Sequence, residues 1–271
     1  MIEAKNLSKH FKVKGKPDKV AVADVSFTAR DGQVTGLLGP NGAGKTTTLR
    51  MLSTLIEPTG GAGRVDGKDI RADAMAVKAA IGVLSDARGL YTRLTARENI
   101  RYYGELRGIT GATLEARIEK LAALIDMTEL LDRRTDGFSQ GERMKVAIAR
   151  ALIHEPKNVI LDEPTNGLDV MTTRSLRELI RKLREEGKCV VFSSHIMQEV
   201  SALCDDIVIV SQGRVVAQGD AQHLLEISGK ASLEEAFVHL SGETDHAPTS
   251  PTSPTSPAST LSPTANQGMM Q

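Results

Sequence analysis

The chain has no excess of charge of either sign: 34 Lys and Arg stand against 34 Asp and Glu in 271 residues. With no global positive field, nothing points to nucleic acid as a partner, and any anion site has to be built locally. Cysteine is scarce. Cys189 and Cys204 stand far apart, in or beside apolar runs and without metal-ligand spacing. The expectation is two buried, reduced thiols, as in a cytosolic protein. No uninterrupted apolar run is long enough to cross a bilayer, and the opening "MIEAKNLSKHFK" lacks the apolar stretch of a signal peptide. These absences predict a cytoplasmic chain that reaches a membrane only if something carries it there. No repeat of domain size is visible either.

What is present is an ordinary globular composition, 40% hydrophobic and 25% charged, enough for one large domain or a domain with an inserted lobe. Residues 1–35 hold short alternating runs, clearest in "KVAVADVSFTA" and broken by "KGKPDK", which predicts a small, mostly antiparallel β region. Next, "QVTGLLGPNGAGKTTTLRMLSTLI" reads as an apolar strand, a glycine-rich turn and a helix. Between 95 and 136 the pattern is mainly helical. A Thr95–Glu98 capping box opens "TARENIRYYGELRG", which stops at Gly108. Leu114, Ile118, Leu121 and Ile125 then fall on one stripe.

A further helix opens in "FSQGERMKVAIARAL" and ends before Pro156. Two apolar strands, "KNVILDE" and "KCVVFSSH", bracket the helix "MTTRSLRELIRKLREEG", and "DDIVIVSQGRVVAQG" reads as a hairpin turning at Gln212-Gly213. Strands alternating with helices predict an α/β fold with a mostly parallel core sheet. One domain is expected over 1–241, with a helical lobe at about 90–136. From 242 to 271 a Pro/Ser/Thr repeat has almost no apolar content, and a disordered tail is expected there.

Three strand ends carry chemistry. Gly39 to Thr46, "GPNGAGKT", fits G-x-x-x-x-G-K-[ST] between a strand and a helix, the context this motif requires. Its glycines let backbone amides turn toward phosphate oxygens, and the helix N-terminus adds positive potential. Lys45 would be the point charge on the β- and γ-phosphates, and Thr46 a hydroxyl ligand for Mg²⁺. The pattern predicts a P-loop that binds a nucleoside triphosphate. Val159, Ile160 and Leu161 then lead to Asp162 and Glu163, at the strand end where open α/β sheets place ligands. Asp162 would hold Mg²⁺, directly or through water, and Glu163 would polarise an attacking water; an ordinary acidic loop start is the alternative. His195 closes "CVVFSSH", where an imidazole could donate to a γ-phosphate or serve structure alone.

The helix at 138–152 begins oddly. Ser139 and Glu142 have capping-box spacing, yet Gln140 and the helix-weakening Gly141 occupy the first turn.

In this order and spacing, "GPNGAGKTT", "FSQGE", "ILDEPTNGLD" and "SSH" resemble the Walker A, signature, Walker B with D-loop, and H-loop of ABC-type ATPases, over residues 1 to about 240. The resemblance implies an ABC ATPase in which two copies sandwich two ATP·Mg²⁺ head to tail and drive a separate transmembrane permease. By it, Gly39, Pro40, Asn41, Gly42, Ala43, Gly44, Lys45, Thr46 and Thr47 bind nucleotide, and Glu163 and His195 are catalytic. Ser139 and Gly141 match the positions that touch the γ-phosphate held by the other copy. Phe11 is the candidate for stacking on adenine, an ordinary strand aromatic being the alternative. The stretches "GLYTRLTARENIRYYG" and "FSQGERMKVAIARALIHEP" further resemble ATP-binding subunits of bacterial exporters, most of all the sodium-extruding type. Drug or other small-molecule export stays open.

Two positions depart from the family. Its usual Leu-Ser-Gly-Gly-Gln signature is Phe138, Ser139, Gln140, Gly141 and Glu142 here, and its Q-loop glutamine falls on Asp86, whose carboxylate could still ligate Mg²⁺. Soluble ABC ATPases acting on nucleic acid or ribosomes fit less well, because this chain has one cassette and no sustained heptads. A guanine-reading N-K-x-D motif is also absent, which argues against an unrelated P-loop switch.

Overall fold

The computed structural model describes residues 1–15, 17–84 and 89–242. Asp86 and the repeat region beyond Gly242 lie outside the described residues.

In chain order, β1 (Ile2–Phe11) and β2 (Lys19–Ala29) precede β3 (Val34–Leu38) and α1 (Lys45–Leu52). Then come β4 (Gly60–Val65), β5 (Lys68–Asp69), α2 (Ala74–Ala80) and β6 (Ile81–Leu84). Three helices follow, α3 (Ala96–Leu106), α4 (Gly111–Leu124) and α5 (Gln140–Leu152), with a 3₁₀ turn at Thr128–Leu130 between the last two. The remainder runs β7 (Asn158–Asp162), α6 (Val170–Glu185), β8 (Cys189–Ser194), α7 (Met197–Leu203), β9 (Asp206–Ser211), β10 (Arg214–Gly219), α8 (Ala221–Ser228) and α9 (Leu233–Ser241).

Among the described residues the strands are ordered β5-β4-β1-β2-β10-β9-β3-β8-β7-β6. The expected division holds: β1, β2, β4 and β5 pair antiparallel, while β9, β3, β8, β7 and β6 run parallel. A single parallel pair, Arg214 with Asp24, joins the two halves. The β9–β10 hairpin turns where Gln212 and Gly213 both have positive φ, 47° and 73°, the conformation a two-residue turn between twisted strands demands.

Strand alternation sorts the parallel sheet into two faces. Val159, Leu161, Val190 and Phe192 join one buried cluster; Ile160, Cys189 and Val191 join the other, with Leu49 and Leu52 of α1. α6 covers the first face through Leu176, Leu179, Ile180 and Leu183, a stripe with helical spacing. Ile100, Leu114 and Ile118 of α3 and α4 belong to that same cluster: these helices pack on each other and on α5, which in turn packs on β6. Gly104 lets α3 and α4 approach closely: a Cβ there would lie 2.3 Å from Leu114 Cδ1. Of the two thiols, Cys189 is buried as expected, and burial pushes its pKa up to about 11. Cys204, just after α7, is only half-buried although its sulfur packs toward Gly36 of β3.

Asn99 lies in α3 with no exposed surface, and sequence pattern did not single it out. Its Oδ1 accepts from Tyr91 N at 2.9 Å, and its Nδ2 donates to the carbonyls of Tyr91 at 3.1 Å and Thr95 at 2.9 Å. The amide side chain thus replaces backbone pairing for the segment leading into α3, and removing it leaves the half-buried Tyr91 N–H and Thr95 carbonyl without this partner. Asn99→Ala should lower the unfolding free energy by about 2 kcal/mol, read as a reduced urea midpoint. An unchanged midpoint would contradict this role.

Candidate active site

The site follows from three neighbouring parallel strands, β3, β8 and β7. Leu38 pairs with Ser194 and Asp162 with Ser193, so the segments that follow leave the sheet at one end. Residues 39–46, 162–163 and 195 are distant in sequence and meet there, at the carboxyl ends where such sheets hold ligands.

The glycines of the first loop are required by its geometry. A Cβ on Gly39 would sit 2.2 Å from Val210 O, and Gly44, with φ 105°, would place one 2.7 Å from Ala21 O. The loop is therefore pressed against β9 on one side and β2 on the other. Gly44 is also the N-cap of α1, which has no side-chain cap, so its first amides are free to meet an anion. A cleft of about 230 Å³ opens over this turn, lined by Asn41 to Thr47, Lys19, Val20, Ala21 and Glu163. Gly39 and Pro40 lie beneath it, their carbonyls accepting from Lys45 Nζ at 2.6 and 3.1 Å.

Lys45 has 4% of its side chain exposed and stands 3.7 Å from Glu163 Oε1. Burial pushes its pKa below the usual lysine range, and the charges of Glu163 and Asp162 partly offset this. Asp162 Oδ1 accepts Thr46 Oγ1 at 3.1 Å and Ser193 Oγ at 2.6 Å. Glu163 adopts a left-handed backbone, φ 45°, and its amide donates to Ser193 Oγ at 2.9 Å. A non-glycine residue held there is strained, and that strain sets the direction in which the carboxylate leaves the strand. Glu163 Oε1 lies 3.4 Å from His195 Nδ1. Direct contacts thus join Lys45, Glu163 and His195, and separately Thr46 and Asp162, with Ser193 bridging the two groups.

The signature helix α5 has the expected capping box. Glu142 N donates to Ser139 Oγ at 3.2 Å and Ser139 N to Glu142 Oε2 at 2.8 Å. That backbone donor, with Arg133 nearby, holds the Glu142 carboxyl below its usual range. Gly141 lies against the start of α6. A Cβ there would meet Thr172 Oγ1 at 2.7 Å, so glycine is needed for α5 to approach the start of α6. Gln140 Nε2 donates to Asn166 O at 2.8 Å, tying the signature to the segment after Glu163. Among the described residues, none of 138–142 lines the cleft.

Phe11 stands beside the cleft rather than in its wall: it pairs with Lys19 across the β1–β2 ladder, is 40% exposed and has Lys9 Nζ 5.3 Å from its ring. Sequence reasoning missed Val20, Ser193 and Gln140. The polar pair Ser193-Ser194 at the end of an apolar strand was the available signal for the second of these.

The family model for the ABC transporter matches residues 22–166. Over 239 residues the chain is 46% identical to the ABC transporter ATP-binding protein NatA of Bacillus subtilis (strain 168), covering 88% of this chain and 97% of that protein. It is 36% identical to the linearmycin resistance ATP-binding protein LnrL of the same organism, over 81% of this chain and 69% of the relative. A solved ATP-binding subunit of an ABC transporter superposes with TM-score 0.79 at 31% identity, over 88% of this chain and 98% of that one. The dimeric ABC transporter cassette MJ0796 gives TM-score 0.74 at 26% identity, over 81% and 98%, and the same cassette has been solved as a dimer in a post-hydrolysis state with ADP and Pi. The phosphate loop, Asp162, Glu163 and His195 converge at the carboxyl ends of the parallel strands, and the likeness runs along 97% of NatA and 98% of the first solved subunit: this chain belongs to the ABC transporter family as an ATP-binding subunit and is an ATPase.

Proposed function

We propose that this chain hydrolyses ATP at a site completed by a second copy, or a similar subunit, and so drives a separate membrane permease in export. The observation that carries this reading is the split between the cleft and the signature. Lys45, Thr46 and Glu163 line the cleft, whereas Ser139 and Gly141 do not, although their helix start is suited to an anion. A phosphate clamped between the two faces therefore needs two chains, head to tail.

In this reading the triphosphate lies on the amides of 41–47, and its charge draws Lys45 away from Glu163. Mg²⁺ fits the hard oxygen donors Thr46 Oγ1 and Asp162, already 3.1 Å apart; among the described residues no cluster of three acidic, His or Cys side chains surrounds them, so phosphate and water would supply the other ligands. Bound there, the ion would neutralise charge on the phosphates. Asp86 would join only through its family position. Glu163 then orients and polarises the attacking water, and His195, beside it, donates to the γ-phosphate. Phe11, beside the cleft, would support the adenine. Closure does mechanical work on the permease because the closed pair binds ATP more tightly than the open one. No helix among the described residues is long and apolar enough to cross a membrane, so the chain would sit at the inner membrane face through that permease, which meets the lobe at about 90–136.

Sodium is the substrate we favour, on the likeness of the stretches at 89–104 and 138–156 to sodium-extruding exporters. The linearmycin resistance relative favours drug export as the second reading. The permease, purified with the chain into vesicles, decides: ATP hydrolysis should rise with sodium and not with potassium. Stimulation by drugs alone would replace sodium with the second reading.

For the site itself, Glu163→Gln should keep ATP affinity within about threefold while hydrolysis falls at least ~100-fold. Ser139→Arg should bind ATP normally and lose hydrolysis to a similar extent, about 100-fold. A Ser139→Arg protein hydrolysing ATP at the wild-type rate would contradict the shared site.

A further inference from the structure

One buried acid is left unused by this scheme. Glu199, on α7, is 4% exposed, and its Oε2 accepts two hydroxyls, Thr165 Oγ1 at 2.7 Å and Ser194 Oγ at 2.9 Å. Both donors are themselves buried, at 7% and 2%. Burying a carboxyl group away from water is costly, and an apolar side chain of similar volume often stabilises a fold at least as well. Stability alone therefore does not explain this group.

Its partners do. Ser194 is the residue before His195, and its Oγ also accepts from Ile196 N at 3.0 Å, so one hydroxyl brackets the histidine from both sides. Thr165 stands two residues after Glu163, in the turn where Asn166 N donates to Glu163 O at 3.2 Å and Leu168 N to Thr165 O at 3.1 Å. The carboxylate itself is fixed relative to the phosphate loop. α7 lies on β3 so closely that a Cβ at Gly36 would meet Val200 Cγ1 at 3.1 Å and Cys204 Sγ at 2.5 Å. One oxygen thus ties the segment after β7 to the segment after β8, from a helix seated on the strand that carries the loop.

We propose that Glu199 is a positioning residue that holds Glu163 and His195 in register by gripping Thr165 and Ser194. This rests on the roles proposed above for Glu163 and His195. Glu199 does not line the cleft; it acts through the backbone on either side of the groups that do the chemistry. An amide oxygen can accept the same two hydroxyls, so glutamine should serve where leucine cannot.

The test is steady-state ATP hydrolysis by the full chain across an ATP titration, with folding checked by circular dichroism. Glu199→Leu should lower kcat about tenfold or more, since small misplacement at a reacting centre is expensive, with KM within about twofold. Glu199→Gln should stay within about threefold of wild type. Thr165→Val and Ser194→Ala should each lower kcat several-fold, and should add little when combined with Glu199→Leu, as expected of groups acting together. A folded Glu199→Leu protein with wild-type kcat overturns the proposal, as does Glu199→Gln failing as badly as Glu199→Leu. Should Glu199→Leu not fold, the two hydroxyl variants decide, and unchanged kcat in both overturns it. Glu163→Gln is the control: if it still hydrolyses ATP, the site reading itself fails, whereas a dead Glu163→Gln with an active Glu199→Leu removes only the inference about Glu199.

Discussion

Asp162 Oδ1 accepts hydrogen bonds from Thr46 at 3.1 Å and from Ser193 at 2.6 Å. Those two donors come from the helix after β3 and from β8, while the acceptor ends β7. The interaction therefore ties three adjacent strand ends with a single oxygen. Ser193 extends the tie by accepting the amide of Glu163, which fixes a strained left-handed residue at the point where the second carboxylate turns toward Lys45. Parallel pairing brings the strand ends level; the hydroxyl–carboxylate chain sets the loops beyond them.

Charge is arranged on the same local scale. A chain with balanced totals cannot attract an anion from a distance by its net field, so the attraction is assembled from one buried ammonium and the free amides of α1. Lys45 is held by the Gly39 and Pro40 carbonyls and by Glu163, at a cost in desolvation that appears as its lowered pKa. The signature offers a second positive end on α5, and its ties run to the segment after Glu163, through Gln140 to Asn166 and through the close approach of Gly141 to Thr172. Two contacts thereby tie the start of α5 to the segment that leaves the Glu163 strand.

What could be read from the sequence was what is local. The phosphate loop is a run of consecutive residues between a strand and a helix, and the capping boxes at Thr95 and Ser139 need only four residues each. Leu114, Ile118 and Leu121 follow helical period and are buried. The two acids after Ile160-Leu161 were legible because apolar strands end abruptly in polar residues. Long-range tertiary contacts escaped. Gly141 reads only as a helix-weakening glycine until Thr172 is seen beside it, and Glu199 and Asn99 are ordinary helical polar residues until burial reveals their partners. The strands and helix at 60–84 were not singled out: β4 is glycine-rich and β5 only two residues long, so neither offers a clear alternating pattern.

In the proposed scheme one chain carries two half-sites that meet only across a pair. Light scattering on the Glu163→Gln protein, with and without ATP and Mg²⁺, tests it most directly. The 29.1 kDa chain should double in mass when nucleotide is added and return to monomer when it is removed. A protein saturated with ATP that remains at the monomer mass would contradict it.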